Sequence, residues 1–289
     1  MRSMALWIQA SRPKTLMAII SPVLIGTTLA LSDGFFEPLL FFLTLCTGLG
    51  IQITTNLAND YYDWVKGADT EKRVGPTRAT AAGLITPDRM KRAIVLMCVV
   101  TAALGLYLIL KGGVIFALLL AIALLLSVLY TAGPFPISYL GLGDLFVLVF
   151  YGPVAVSATH YLQTHTLTTE SLIVGLAPSS LATAILVANN LRDVETDTTA
   201  KKKTLLVRFG RTFGKWEYTG LVLGAIALPL IYLREHPFAF LSAGSILLAI
   251  PLIAQVFKSS RPHDFIPLLP KTAQLMFFYT FLFCIGWML

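Results

Sequence analysis

The sequence predicts an all-α, polytopic membrane protein with about nine transmembrane helices, and three observations predict it. Of 289 residues, 56% are hydrophobic and 13% charged, and the mean hydropathy is +0.76. A soluble domain carries about twice that share of charge. Apolar runs near the length needed to cross a bilayer recur along the whole chain. Between the runs, Lys and Arg crowd into alternate loops and are nearly absent from the others.

Taken in order, the expected spans are 16–32, 38–58, 92–110, 113–132, 142–162, 171–190, 216–233, 238–257 and 272–289. The first follows Arg12 and Lys14 and ends near "LALS", a pattern that also fits a cleaved signal peptide cut at Ser32. Eight further spans need no cleavage to explain them. The three cysteines, Cys46, Cys98 and Cys284, fall inside apolar runs without CxxC spacing, so they are packing residues and not ligands or disulfides.

Orientation follows from the basic residues. The N-terminus and the loops after the second, sixth and eighth spans hold 20 of the 22 Lys and Arg, leaving Lys111 and Arg234 for the other side. The chain therefore starts in the cytoplasm and ends outside, in the cytoplasmic (inner) membrane. The net charge of +7 follows from topology and attraction to anionic membrane lipid, and a nucleic-acid role has no support.

Two cytoplasmic loops also hold most of the acids, which topology does not require. Asp60, Asp63, Asp69, Glu71 and Asp88 lie in the first, and Asp193, Glu195, Asp197 and Glu217 in or beside the second. Residues four apart share a helix face, which pairs Asn59 with Asp63, Asn189 with Asp193, and Asp193 with Asp197. Each cluster is NxxxD at the cytoplasmic end of an even-numbered span, and 130 residues separate Asp63 from Asp193. That spacing predicts one domain over 1–289 with a weak internal repeat, helices 1–4 and 5–8, plus helix 9, whose two acidic ends face each other across a central cavity.

Clustered carboxylates repel unless something positive lies between them. Asp and Asn oxygens favour Mg²⁺ or Ca²⁺ over zinc, and Mg²⁺ commonly combines few carboxylates with substrate phosphates. Asn59, Asp60, Asp63, Asp69, Asp193 and Asp197 are the candidate ligands. Lys66, Arg73 and Arg78 in the first loop, and "KKKTLLVRFGR" from Lys201 to Arg211 in the second, complete a diphosphate site. One NxxxD alone would fit a helix cap, and one Lys triplet alone would fit topology. Two acidic sets at equivalent positions, each followed by bases, fit neither.

"NDYYDWVKGADT" with "GPTRATAAGLITP", and "NNLRDVETDTTAKKKTLLVRFG", resemble the two signature segments of the UbiA superfamily of intramembrane prenyltransferases. "SRPKTL" at 11–16 and "YTAGPFPISYLGLGDL" at 130–145 extend the resemblance over nearly the whole chain. KGxD followed by GPxR makes it most similar to the MenA-type 1,4-dihydroxy-2-naphthoate polyprenyltransferases of menaquinone synthesis. Relatives acting on hydroxybenzoate are expected to show NDxxDxxxD, whereas Gly67 stands four after Asp63 here. The glycine should break the helix and bring Asp69 to the metal from a loop.

The resemblance implies nine helices in a ring, roofed by cytoplasmic loops, and a Mg²⁺-dependent enzyme. It would transfer a polyprenyl group from polyprenyl diphosphate to 1,4-dihydroxy-2-naphthoate, with loss of CO₂ and diphosphate, giving demethylmenaquinone. Asn59, Asp63, Asp193 and Asp197 would be catalytic; Lys66, Arg78, Lys203 and Arg208 would bind diphosphate. Arg12, Lys14, Asn56 and Tyr139 are candidates to bind the aromatic acid. The alternatives are another acceptor, such as 4-hydroxybenzoate or homogentisate, and a secondary transporter. A transporter should carry its ionisable residues near mid-bilayer, and these cluster at one face.

Overall fold

A computed structural model of the protein describes residues 2–69 and 74–289, with the backbone alone for residues 2 and 3. Of the residues singled out above, Glu71 and Arg73 lie outside the described residues. The described chain is helical throughout: α1 Arg2–Ser11, α2 Met17–Ser32, α3 Pro38–Val65, α4 Pro87–Leu129, α5 Ile137–Leu140, α6 Gly143–Val149, α7 Ala155–Thr164, α8 Thr169–Thr199, α9 Leu205–Ala227, α10 Ile246–Lys258 and α11 Leu268–Met288. Among the described residues, six helical stretches are long and apolar enough to cross a membrane, and the bent pair Met4–Thr15 and Met17–Ser32 makes a seventh. This is an integral membrane protein.

The 43 residues of α4 contain two of the expected spans in one element. A straight helix of that length would be about 65 Å long, twice the apolar thickness of a bilayer. The chain turns at Gly113, whose φ of 70 and ψ of −158 lie outside the helical region. Its two arms pack together, because a Cβ on Gly105 would meet the Leu120 side chain at 2.3 Å. Outward-facing Val95, Val99, Leu106, Leu110, Leu118 and Leu125 are exposed in the isolated chain, as lipid-facing positions should be.

At the centre lies α8, with 72% of its apolar window buried, packed against α2, α9, α11 and the segment before α7. Its start is fixed by Thr168, whose hydroxyl accepts from the Ser171 amide, as Thr204 does for Val207 at the head of α9. Small residues let neighbouring backbones close in. A Cβ on Gly152 would lie 2.1 Å from the Gly175 carbonyl oxygen. Gly152 belongs to the π turn Phe150–Val154, where Pro153 supplies no amide hydrogen to the regular ladder.

Two helices overrun the expected membrane boundary. α3 continues seven residues past 58 to Val65, and α8 nine past 190 to Thr199. Asp60 and Asp63 of the first acidic cluster, and Asp193 and Asp197 of the second, therefore ride on helical extensions. Gly67, at φ 66, does end α3 and turns the chain toward Asp69. The first expected span is not peripheral, since Val23, Ile25, Leu29 and Ala30 of α2 are buried.

Candidate active site

The last turns of α3 and α8, the turn before α2, and the loops 130–143 and 200–204 enclose a polar cavity of about 180 Å³. Asn59, Asp63 and Asp69 line it from one side and Asn189, Asn190, Asp193 and Asp197 from the other, with Arg12, Arg78 and Lys202 between. The facing arrangement expected from the repeated NxxxD spacing is thus present.

Asp63, 1% exposed, is the hub. It accepts from the Tyr139 hydroxyl at 2.9 Å and from Arg78 Nη2 at 3.3 Å. Lys202 Nζ lies 3.2 Å from Asp63 and 3.7 Å from Asp197, so a single ammonium links the two acidic helix ends. Burial opposes the Lys202 charge, yet the carboxylates of Asp63 and Asp197 outweigh it and hold its pKa above the ordinary lysine range. Arg78, also buried, pairs with Asp69 at 3.3 Å. Asp69 arrives from the loop, as the glycine break predicts.

The Tyr139 ring has Lys66 Nζ at 4.8 Å and Lys202 Nζ at 4.9 Å from its centroid. Burial and then the Asp63 charge push its phenol well above the ordinary tyrosine range, which keeps it a neutral hydrogen-bond donor. Burial pulls Lys66 down, against the pull of Asp63. Its ammonium donates to the Gly133 carbonyl at 2.9 Å, at the rim and not among the residues lining the cavity.

The second cluster is held differently. Arg192, on the same helix, donates Nε and Nη2 to Asp193 at 2.7 and 2.6 Å, and Nη2 also reaches Asn189 Oδ1 at 2.6 Å. The sequence reading assigned no role to Arg192; its position beside Asp193 was the available signal.

Several expected residues hold the site together through bonds to the backbone and to one another. Both oxygens of Asp60 accept from the backbone amides of Ala79 and Thr80, at 2.9 and 2.8 Å, which fastens the GPTRAT loop to α3 and places Arg78. Asn56 lines the cavity, and its amide donates to the Ser11 carbonyl and the Thr15 hydroxyl, fixing the turn that carries Arg12. Arg12, at φ 52, donates to Asn59 Oδ1 at 2.8 Å. Lys14 is exposed and outside the cavity wall.

Within the Lys triplet, Lys202 and not Lys203 faces the cavity. The side chain of Lys203 is exposed, and its amide donates to the Tyr139 carbonyl at 2.9 Å. Arg208 donates to the carbonyls of Lys203 and Leu140, at 3.0 and 2.7 Å, clamping α5 to the second loop. Together they position Tyr139 over Asp63.

A second, mostly apolar cavity of about 170 Å³ runs deeper between α2, α3, α4 and α7. Gln52, Thr55, Ser127, Phe146 and Tyr151 line both cavities, so they adjoin at this throat. The Tyr151 hydroxyl donates to Gln52 across it.

A charged head cavity adjoining an apolar groove suits a ligand with a polar end and a long apolar tail. Comparison with known proteins points the same way. The profile of the UbiA prenyltransferase family matches residues 19–287. The chain is 36% identical to a 1,4-dihydroxy-2-naphthoate octaprenyltransferase of Escherichia coli, over 97% of this chain and 94% of that protein. It is 34% identical to the protein of that name from Mycobacterium tuberculosis, over 96% and 94%. The fold matches a UbiA homologue from Aeropyrum pernix with a TM-score of 0.68 at 13% identity, covering 91% of this chain and 94% of that one. It also matches one from Archaeoglobus fulgidus bound to geranyl diphosphate (GPP) and Mg²⁺, with a TM-score of 0.61 at 14% identity, covering 96% and 99%.

Proposed function

Since the chain belongs to the UbiA prenyltransferase family, we propose that it transfers a polyprenyl group from polyprenyl diphosphate to 1,4-dihydroxy-2-naphthoate, releasing diphosphate and CO₂ in menaquinone biosynthesis. The observation that carries this reading is the union of the charged cavity with the apolar groove at Gln52 and Tyr151. Diphosphate would occupy the first and the isoprenoid tail the second.

The donor set fits Mg²⁺. Every candidate ligand offers oxygen, and each side of the cavity offers two carboxylates, Asp63 with Asp69 and Asp193 with Asp197. Among the described residues no three acids lie close enough to hold an ion alone, so the remaining ligands would come from diphosphate oxygens. The A. fulgidus relative, bound to GPP and Mg²⁺, supports that division. Bound there, Mg²⁺ would neutralise the charge developing on the leaving diphosphate.

The protein's own groups do the rest. Lys202 and Arg78 are placed to exchange their present carboxylate partners for diphosphate oxygens. Tyr139 keeps Asp63 oriented. The apolar walls exclude water from the allylic cation until the electron-rich ring attacks it. Arg12 is the candidate partner for the acceptor carboxylate.

Counting the two arms of α4 separately and the bent N-terminal pair as one gives eight spans, and α9, which overlaps the expected span 216–233, would be the ninth in this reading. The Lys and Arg distribution supports a cytoplasmic N-terminus, with the site on the cytoplasmic side of the inner membrane. α3 and α8 are the equivalent helices of the internal repeat in this reading.

The test is incubation of purified protein with Mg²⁺, a polyprenyl diphosphate and each of several aromatic acids in turn, with the lipid product weighed by mass spectrometry. Demethylmenaquinone from dihydroxynaphthoate is expected. Product only from 4-hydroxybenzoate or homogentisate would replace the acceptor, and no product with any acid would overturn the reading.

A further inference from the structure

Asp144 is a cavity-lining acid that differs from the others. It sits in the first turn of α6, 6% exposed, on the wall formed with Tyr130, Ser138 and Gly143. Its Oδ1 is buried and has no hydrogen-bond partner among the described residues. Asp63, Asp69, Asp193 and Asp197 all face a base at 3.7 Å or less, whereas Asp144 forms no ion pair among the described residues. A buried carboxylate oxygen left without a donor carries the desolvation penalty of an unmade hydrogen bond to a charged group. Such a group is retained most simply when a ligand supplies the donor.

The donor substrate cannot be that ligand. A diphosphate brings only negative oxygens, which a carboxylate repels, and an isoprenoid tail has no N–H or O–H. Phe146, two residues on, lines both cavities, so Asp144 lies close to the throat where the reactive carbon of the prenyl donor would sit. The remaining substrate is an aromatic acid whose hydroxyls are hydrogen-bond donors. We propose that Asp144 is the acceptor-recognition residue: its free carboxylate oxygen accepts a hydrogen bond from a ring hydroxyl of the aromatic substrate. The bond orients the ring toward the allylic carbon and raises electron density on it, without itself requiring proton transfer. Arg12, which also lines the cavity, would hold the carboxylate end. This inference rests on the prenyl-transfer reading above.

The test is steady-state kinetics of Asp144→Asn and Asp144→Glu, each substrate varied separately, together with inhibition by 1-hydroxy-2-naphthoate and 4-hydroxy-2-naphthoate. Charge-assisted hydrogen bonds correspond to about a tenfold to hundredfold effect. Asp144→Asn should lower efficiency toward dihydroxynaphthoate by that factor while donor KM stays within about twofold, and Asp144→Glu should recover part of it. Wild type should bind one monohydroxy acid at least about tenfold more tightly than the other, and Asp144→Asn should erase the difference. A loss shared equally by both substrates, or discrimination that survives in Asp144→Asn, would overturn the assignment. Should the asparagine variant not fold in detergent, wild type challenged with the two mono-O-methyl ethers gives the same answer, because methylation removes the donor. Equal inhibition by both ethers would sink the proposal. Wild-type turnover separates the two failures: without it the prenyl-transfer reading falls, and with it only the role of Asp144 is at stake.

Discussion

The two acidic helix ends share a spacing, and the protein builds them in opposite ways. On α8 the support is local: Arg192 lies one residue from Asp193 and three from Asn189, so one helical turn contains acid, amide and base. On α3 the support is remote: Asp63 draws Arg78, Tyr139 and Lys202 from 15, 76 and 139 residues away. The first cluster therefore exists only when three loops are closed over it, whereas the Asn189, Arg192 and Asp193 part of the second is joined within α8 itself. A site that must admit a charged substrate and then exclude water needs one fixed wall and one that assembles.

The largest expected effect follows from removing the hub. Asp63→Ala should lower turnover by about a thousandfold and, by leaving Lys202 and Arg78 short of counter-charge, destabilise the fold by about 3 to 5 kcal/mol. Activity and a detergent melting curve measured together check both. Asp193→Ala should match the loss of turnover but leave the first cluster's loops in place, so limited proteolysis of residues 66–86 should accelerate only in the Asp63 variant. Equal proteolysis in the two would erase the distinction between a fixed and an assembled wall.

Next comes the Lys triplet. Lys202→Ala should reduce efficiency toward prenyl diphosphate by about tenfold to a hundredfold, with the acceptor's KM little changed, while Lys203→Ala stays within about threefold. The reverse order would place the wrong lysine in the cavity. Arg192→Gln should act on the fixed wall, raising the Mg²⁺ concentration needed for half-maximal rate by about tenfold while donor KM at saturating Mg²⁺ holds. The smallest effect on chemistry belongs to Asp60→Asn, which keeps one amide acceptor for the GPTRAT loop. It should cost about 1 to 3 kcal/mol of stability and less than about threefold in rate per folded molecule. Loss of all activity from well-folded Asp60→Asn would return Asp60 to the metal.

Much of this was legible before any coordinates. Hydropathy located the apolar runs because lipid forces backbone polar groups into helices, and four-residue spacing found Asp63 and Asp193 because helices keep register. Gly67 marked the end of α3 because only a residue without Cβ takes φ 66 easily. Spacing failed where periodicity stops. Asp60 is one residue from Asn59, about 100° around the helix, and so reaches loop amides instead of the cavity. The choice between Lys202 and Lys203 depends on Lys201 adopting φ 58 in the turn after α8, which no residue type in "KKK" announces. Asp144 escaped notice because its significance is a missing partner, and sequence records only residues that are present.

The central claim is that both walls together hold a metal-bound diphosphate. Calorimetric titration with a non-hydrolysable polyprenyl thiodiphosphate, with and without Mg²⁺, tests it in the wild type, Asp63→Ala and Asp193→Ala. Tight binding that needs Mg²⁺ in the wild type and disappears in each single variant is the predicted result. Binding that ignores Mg²⁺, or that survives intact in either variant, would contradict it.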